Sequence, residues 1–162
     1  MKWEVGKGID TYIGELNMLL STEDEVCGKA IYKAAGTVAD EVRAGIQGLP
    51  QRVDGRKRKK GQRTKGVTKE QKQGLLDGFG ITHARTDGSF RHVKLGMDGY
   101  NAKKTQKYPN GQPNAMIARM VESGSENHQK TPFIGPAVKR TKERAERIMQ
   151  ETIDESIKTI MK

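Results

Sequence analysis

"FGITHARTDGSFRHVKLGM", Phe79 to Met97, is the stretch on which the fold class turns. Asp87-Gly88 lies at its centre, and Asp-Gly is a strong two-residue turn signal because both central positions of such a turn need positive φ. The stretch therefore reads as a β-hairpin. With Asp87 and Gly88 as the loop, His83 falls opposite His92 and Ala84 opposite Arg91. The expected class is α+β, with a small antiparallel sheet built on this hairpin. Two imidazoles lack a third ligand here, and no nearby Asp, Glu or Cys has the spacing to complete a zinc site, so no metal is expected.

Upstream, helical periodicity takes over. Ile9, Tyr12, Ile13, Leu16, Leu19 and Leu20 form one apolar stripe, ending at "STEDE". There Thr22 and Glu25 have the spacing of a capping box, which predicts a second helix. Its stripe is Val26, Ala30, Ala34, Val38, Val42 and Ile46, with Cys27 as a small buried hydrophobe, and Gly48 and Pro50 close it. Two N-terminal helices are thus predicted. A single cysteine excludes an intramolecular disulfide and any metal site needing a cysteine cluster, and a reducing compartment fits. No signal peptide or membrane span is legible, which predicts a soluble cytosolic product.

Between this pair and the hairpin, "RVDGRKRKKGQRTKG" packs eight basic residues and one acid into positions 52 to 66, so +7 of the net +10 is local. Glycines 55, 61 and 66 and the density of like charge predict a mobile basic loop at about 50–67 within one domain of 162 residues. Arg52, Arg56, Lys57, Arg58, Lys59, Lys60, Arg63 and Lys65 are its candidate phosphate contacts. The loop contains no aromatic ring, so such contacts would be sequence-blind and salt-dependent. Thr68 then caps a short helix carrying Leu75 and Leu76, which Gly78 and Gly80 break.

Downstream, "DGYNAKKTQKYPNGQPN" is a turn-rich loop. A short helix at 113–123 follows, opened by Pro113, carrying Met116, Ile117, Met120 and Val121 and closed by Gly124. A long helix from about Pro136 has the stripe Val138, Thr141, Ala145, Ile148 and Ile153. No fixed-period repeat is present. No nucleophile with its base, paired carboxylates, phosphate-cradling loop or metal set has convincing spacing, so neither enzymatic activity nor a cofactor is expected. His128 in "SGSENHQK" reads as part of a polar loop, not of a triad.

The most specific signal lies in "NAMIARMVESGSENHQKTPFIGPAV", Asn114 to Val138. Ala118, Arg119, Glu122, Gly124 and Ser125 end the short helix; Pro132, Phe133, Ile134, Pro136 and Ala137 lead into the long one. This pair of motifs resembles the tail-completion, or neck, family of long-tailed double-stranded DNA phages, and "QKQGLLDGFGI" with "VKLGMDGYN" is similar to its Gram-positive prophage subgroup. The resemblance covers about Thr22 to Lys162. Two positions depart from it: Gly135 stands where an Arg is common, and Ser123 where an aromatic is common.

The resemblance implies a structural virion protein at the head-tail junction, made in the host cytoplasm and assembled as a ring, a hexamer in the family's manner. Its implied neighbours are itself, the tail terminator, the tail tube and the head-completion or connector proteins, with nonspecific contact to genomic DNA in the channel. The alternative reading is a sequence-nonspecific nucleic-acid-binding accessory protein acting through the basic loop. Within the motifs, Pro132 and Pro136 fix φ on either side of Phe133 and aim its ring at one place, either the chain's own core, the preferred reading, or a neighbouring subunit. Glu122 is misplaced at a helix C-terminus, which predicts a basic partner, Arg119 or a group on an adjacent subunit.

Overall fold

A computed structural model describes residues 5–52, 61–88 and 90–161, with the side chains of 5–8 left aside. The element order is α1 (Val5–Gln47), α2 (Lys69–Gly78), β1 (Phe79–Ile81), β2 (Arg85–Asp87), β3 (Phe90–His92), β4 (Leu95–Met97), α3 (Asn114–Ser123) and α4 (Ile134–Ile160). The chain is thus α+β and mostly helical, with its short strands set between long helices at either end.

One helix of 43 residues replaces the expected N-terminal pair. The predicted cap at Thr22 does not form, because its hydroxyl donates to the Met18 carbonyl at 2.9 Å, and Ser21 does the same at 2.8 Å. A hydroxyl bonded back to the preceding turn leaves the backbone helical, whereas an N-cap must leave the helical region. With no proline before Pro50, nothing else breaks the run.

The long α4 packs antiparallel along α1. Arg140 donates to Glu41 near one end (Nε to Oε1, 2.8 Å), Gly45 faces Phe133, and Thr22 and Val26 share a groove with Thr159 and Ile160 at the other end. The buried face of α4 carries Ala137, Thr141 and Thr152, while Val138, expected on the stripe, is exposed. The core gathers where α1 nears its C-terminus: Ala39, Val42 and Ile46 meet Leu75 of α2, Phe79 of β1, Ile117 and Val121 of α3, and Phe133 and Ala137 at the start of α4. Cys27 is only half-buried.

The hairpin exists, but its register differs from the expected one. Asp87 pairs with Phe90, Thr86 with Arg91 and Arg85 with His92. Gly88, at φ +61°, opens the turn, so Asp87 stays in its strand and the facing residues shift by two. His83 therefore does not face His92. Nearer the base, Phe79 pairs with Met97 and Ile81 with Leu95, and the Thr82 N–H reaches the Lys94 carbonyl at 2.9 Å. One more residue separates the two ladders on the first side than on the second. This bulge splits the ribbon into two two-stranded sheets, β1-β4 and β2-β3. The outer sheet leans on α1, where Arg91 pairs with Asp24.

Helix α2 begins as expected, with a full capping box: the Gln71 N–H donates to Thr68 Oγ1 at 3.3 Å, and Gln71 Oε1 accepts from the Thr68 N–H at 3.0 Å. Its glycines serve close packing. A Cβ on Gly74 would lie 2.4 Å from Asn101, and one on Gly78 would lie 2.2 Å from the Asp98 carbonyl. Buried Asn114 and Asn101 occupy that space, donating to Asp98 O at 2.8 Å and Gln112 O at 2.9 Å, and so fasten the long loop beneath α2 and α3.

Candidate functional site

The two motif segments meet in one joint. Helix α3 ends where Gly124, at φ +77°, returns its N–H to the Met120 carbonyl at 2.9 Å. A short polar turn follows, with Ser125 and His128 exchanging backbone bonds at 2.9 and 3.2 Å, and the Thr131 N–H returns to the Val121 carbonyl at 2.8 Å. These bonds bring the start of α4 back against the last turn of α3.

Glu122 closes the joint. Its Oε2 accepts the N–H groups of Phe133 at 2.7 Å and Ile134 at 2.8 Å, and its Oε1 accepts that of Gly135 at 2.9 Å. A helix start leaves four backbone N–H groups without intrahelical partners. Three of those at the head of α4 go to this carboxylate, and the fourth position is Pro136, which has no N–H. Glu122 is thus partnered by backbone N–H groups and not by Arg119: it lies at the unfavourable end of its own helix dipole and at the favourable end of the next. Arg119 is exposed and pairs with no described residue. Burial alone would push the Glu122 carboxyl up, but the bonds from Ile134, Gly135 and Phe133, helped by Lys130, outweigh it and hold the group below its ordinary value.

The Phe133 ring packs in the chain's own core, 4% exposed. Its seat depends on Gly45 of α1, where a Cβ would lie 3.1 Å from the Phe133 Cβ. Gly135 plays the same part for the carboxylate, since a Cβ there would stand 3.1 Å from Glu122 Oε1. Gly45 did not stand out in the sequence, and Gly135 did so only as a departure from the family pattern, because the need for a small residue arises only from what lies opposite.

The polar turn between the motifs also holds the base of the basic loop. The Thr64 N–H donates to the Asn127 carbonyl at 2.9 Å, and the Gln129 N–H donates to the Thr64 carbonyl at 2.7 Å. His128 is buried, with Nε2 2.8 Å from the Gly66 carbonyl. A carbonyl partner requires that Nε2 carry the proton. On the other flank, the Arg52 N–H donates to Val67 O at 2.8 Å and the Val67 N–H to Pro50 O at 2.9 Å. Both ends of the loop are thus clamped side by side.

Of the candidate phosphate contacts, Arg52 is half-buried at this clamp and Arg63 and Lys65 are exposed on the returning flank. Arg56, Lys57, Arg58, Lys59 and Lys60, and with them most of the predicted mobile loop, lie outside the described residues. Among the described residues, no group of three or more His, Cys, Asp or Glu side chains could hold a metal ion, and no helix is long and apolar enough to cross a membrane.

Above the joint, between β4, α3 and α4, runs an open apolar groove of about 470 Å³, lined by Val38, Phe79, Leu95, Met97, Ile134 and Val138, with Arg119 and Glu122 at its edge. No family model, curated protein or solved structure matches the chain.

Proposed function

We propose that this chain is a non-enzymatic structural subunit of the head-tail junction of a long-tailed double-stranded DNA phage. It works as one copy of a ring that completes the tail or joins it to the head, beside the tail terminator, the tail tube and the head-completion proteins. The observation that carries this reading is the Glu122 joint. The two motifs on which the family resemblance rests are halves of a single architectural contact, in which Glu122, Gly124, Pro132, Phe133 and Pro136 fix the angle between α3 and α4. Residues used this way hold a shape, which supports a structural role. An open apolar groove on the same joint suits a subunit that finishes its burial on its neighbours.

The test is genetic and compositional. The protein is expected in purified tails or joined particles, and deletion of its gene is expected to leave heads and tails unjoined. Infectious particles formed at the normal yield without it would overturn the reading.

A second reading, a nucleic-acid accessory role, draws on the +7 charge of residues 52 to 66 and on the clamp at Arg52 and Val67, which holds the two flanks of that stretch together. Neutralising Arg56, Lys57, Arg58, Lys59 and Lys60 separates the two. Loss of DNA retention in normally joined particles favours nucleic-acid contact, and failed joining with normal retention favours scaffolding.

A further inference from the structure

From Ile9 to Leu20, α1 carries an apolar face that the described residues leave largely uncovered. No residue from Ile9 to Lys29 is fully buried, although Ile9, Tyr12, Ile13, Leu16 and Leu20 recur at i, i+3, i+4, i+7 and i+11 along one side. Tyr12 is 52% exposed, Ile13 49% and Leu20 70%. The stripe continues the face that is buried farther along, at Ala30, Ala34 and Val42. α4 packs along that later part and ends at Ile160, which shares a groove with Thr22 and Val26.

We propose that this arm docks, as a helix laid in a groove, into the apolar groove between β4, α3 and α4 of a second copy of the chain. The spacing of the arm's anchors is the one that groove-binding helices use. The groove offers the matching surface: apolar walls from Val38, Leu95, Met97 and Val138, with Leu95 and Val138 exposed at its mouth. Charge agrees as well. Asp10 and Glu15 border the arm's stripe on its two sides, and the groove's lining includes exposed Arg119, whose guanidinium pairs with no described residue, while the Glu122 carboxylate beside it is already engaged by three backbone N–H groups.

The arm cannot serve its own groove. Val38 and Val42, which form one wall, belong to the same unbroken helix as the arm. From Ile13 to Val38 that helix rises about 37 Å, at 1.5 Å per residue. A rigid rod cannot fold back on itself, so two matching surfaces that cannot meet within one chain meet between two. The contact uses different patches on the two partners, which makes it head-to-tail and able to propagate around a ring or along a filament. For closure into a ring the proposal rests on the junction reading above; the contact itself does not.

Sedimentation velocity on the full chain tests it, with Ile13→Glu on the arm and Val138→Glu in the groove. Both positions are exposed, and circular dichroism with a thermal melt checks that each variant keeps its fold. The wild type is expected to self-associate, and each variant alone to sediment as a monomer at the same concentration. Mixing the two variants should restore a two-chain species and nothing larger, because only one intact arm and one intact groove remain between them. A wild type that stays monomeric, including one that binds anionic lipid vesicles through the stripe instead, overturns the proposal. Rings that survive both substitutions also overturn this contact while leaving the ring reading standing. Assembly abolished by either substitution, in a protein that never enters tails or joined particles, supports the contact and overturns the particle assignment.

Discussion

Glu122 accepts the backbone N–H of Phe133 at 2.7 Å, and through that bond the last turn of one helix caps the first turn of the next. Removing the carboxylate in Glu122→Ala leaves three N–H groups at the head of α4 without acceptors. Loss of an N-cap together with charge-assisted bonds is expected to cost about 2 kcal/mol. For a domain of this size that lowers the thermal midpoint by roughly 4–8 °C. Glu122→Gln, which keeps an acceptor oxygen, should lose about half as much. Thermal denaturation followed by circular dichroism measures both.

The same carboxylate sets a pH dependence. Its folded-state pKa lies below the ordinary value, because its backbone bonds and Lys130 outweigh the opposing effect of burial. A depressed acid contributes stability that is fully present above its unfolded pKa and is lost as pH falls through the folded one. The gap in thermal midpoint between wild type and Glu122→Gln is therefore expected to be widest near neutrality and to narrow below about pH 4.5. A gap that widens on acidification would contradict the assignment.

Gly66 and Gly61 make a matched pair. Both have positive φ, +78° and +81°, but a Cβ on Gly66 would lie 2.0 Å from the Pro50 carbonyl oxygen, whereas one on Gly61 meets nothing within 4 Å. Gly61→Ala is expected to cost about 1 kcal/mol, the penalty of the left-handed region alone. Gly66→Ala should cost about 3 kcal/mol or more, because backbone must move. Urea titration of the two variants gives the comparison.

His128→Ala removes the side chain that holds the Gly66 carbonyl and leaves a cavity, at a cost of about 2–4 kcal/mol. Its effect should be local as well as global. Hydrogen exchange is expected to quicken first at the N–H groups of Thr64, Val67 and Gln129, which clamp the base of the basic loop. Uniform acceleration across α1 and α4 would argue that His128 serves the core at large and not the clamp.

Thr22→Ala distinguishes the continuous helix from the expected pair. An N-cap threonine costs about 1 kcal/mol to replace, whereas a threonine inside a helix is a poorer helix former than alanine by a few tenths of a kcal/mol. Since the Thr22 hydroxyl donates back to Met18, the substitution is expected to be neutral or slightly stabilising, with unchanged or higher helicity.

Much of the architecture was legible because its causes are local. Thr68 caps α2 through a group only three residues away, Gly124 ends α3 within its own turn, and the stripe from Ala30 to Ile46 declares a buried face by spacing alone. Where local signals competed, sequence reading went astray. Thr22 with Glu25 has a capping pattern that a hydroxyl bonded to Met18 overrides, and Asp87-Gly88 has a turn pattern in which only Gly88 enters the loop. Each alternative is acceptable to the local chain, and packing elsewhere decides between them.

The Glu122 joint divides along the same line. By itself the sequence singled out Glu122, Gly124, Pro132, Phe133 and Pro136 in two short segments, and determined that +7 of the charge sits in residues 52 to 66. Only the tertiary structure decided what Glu122 is for, because its acceptors' partners lie 11 to 13 residues away across a turn. It also decided that His128 clasps Gly66, 62 residues off, and that α1 outruns its cover on α4. Spacing reports which neighbours a residue has along the chain; a hydrogen bond or an uncovered face depends on which neighbours it has in space.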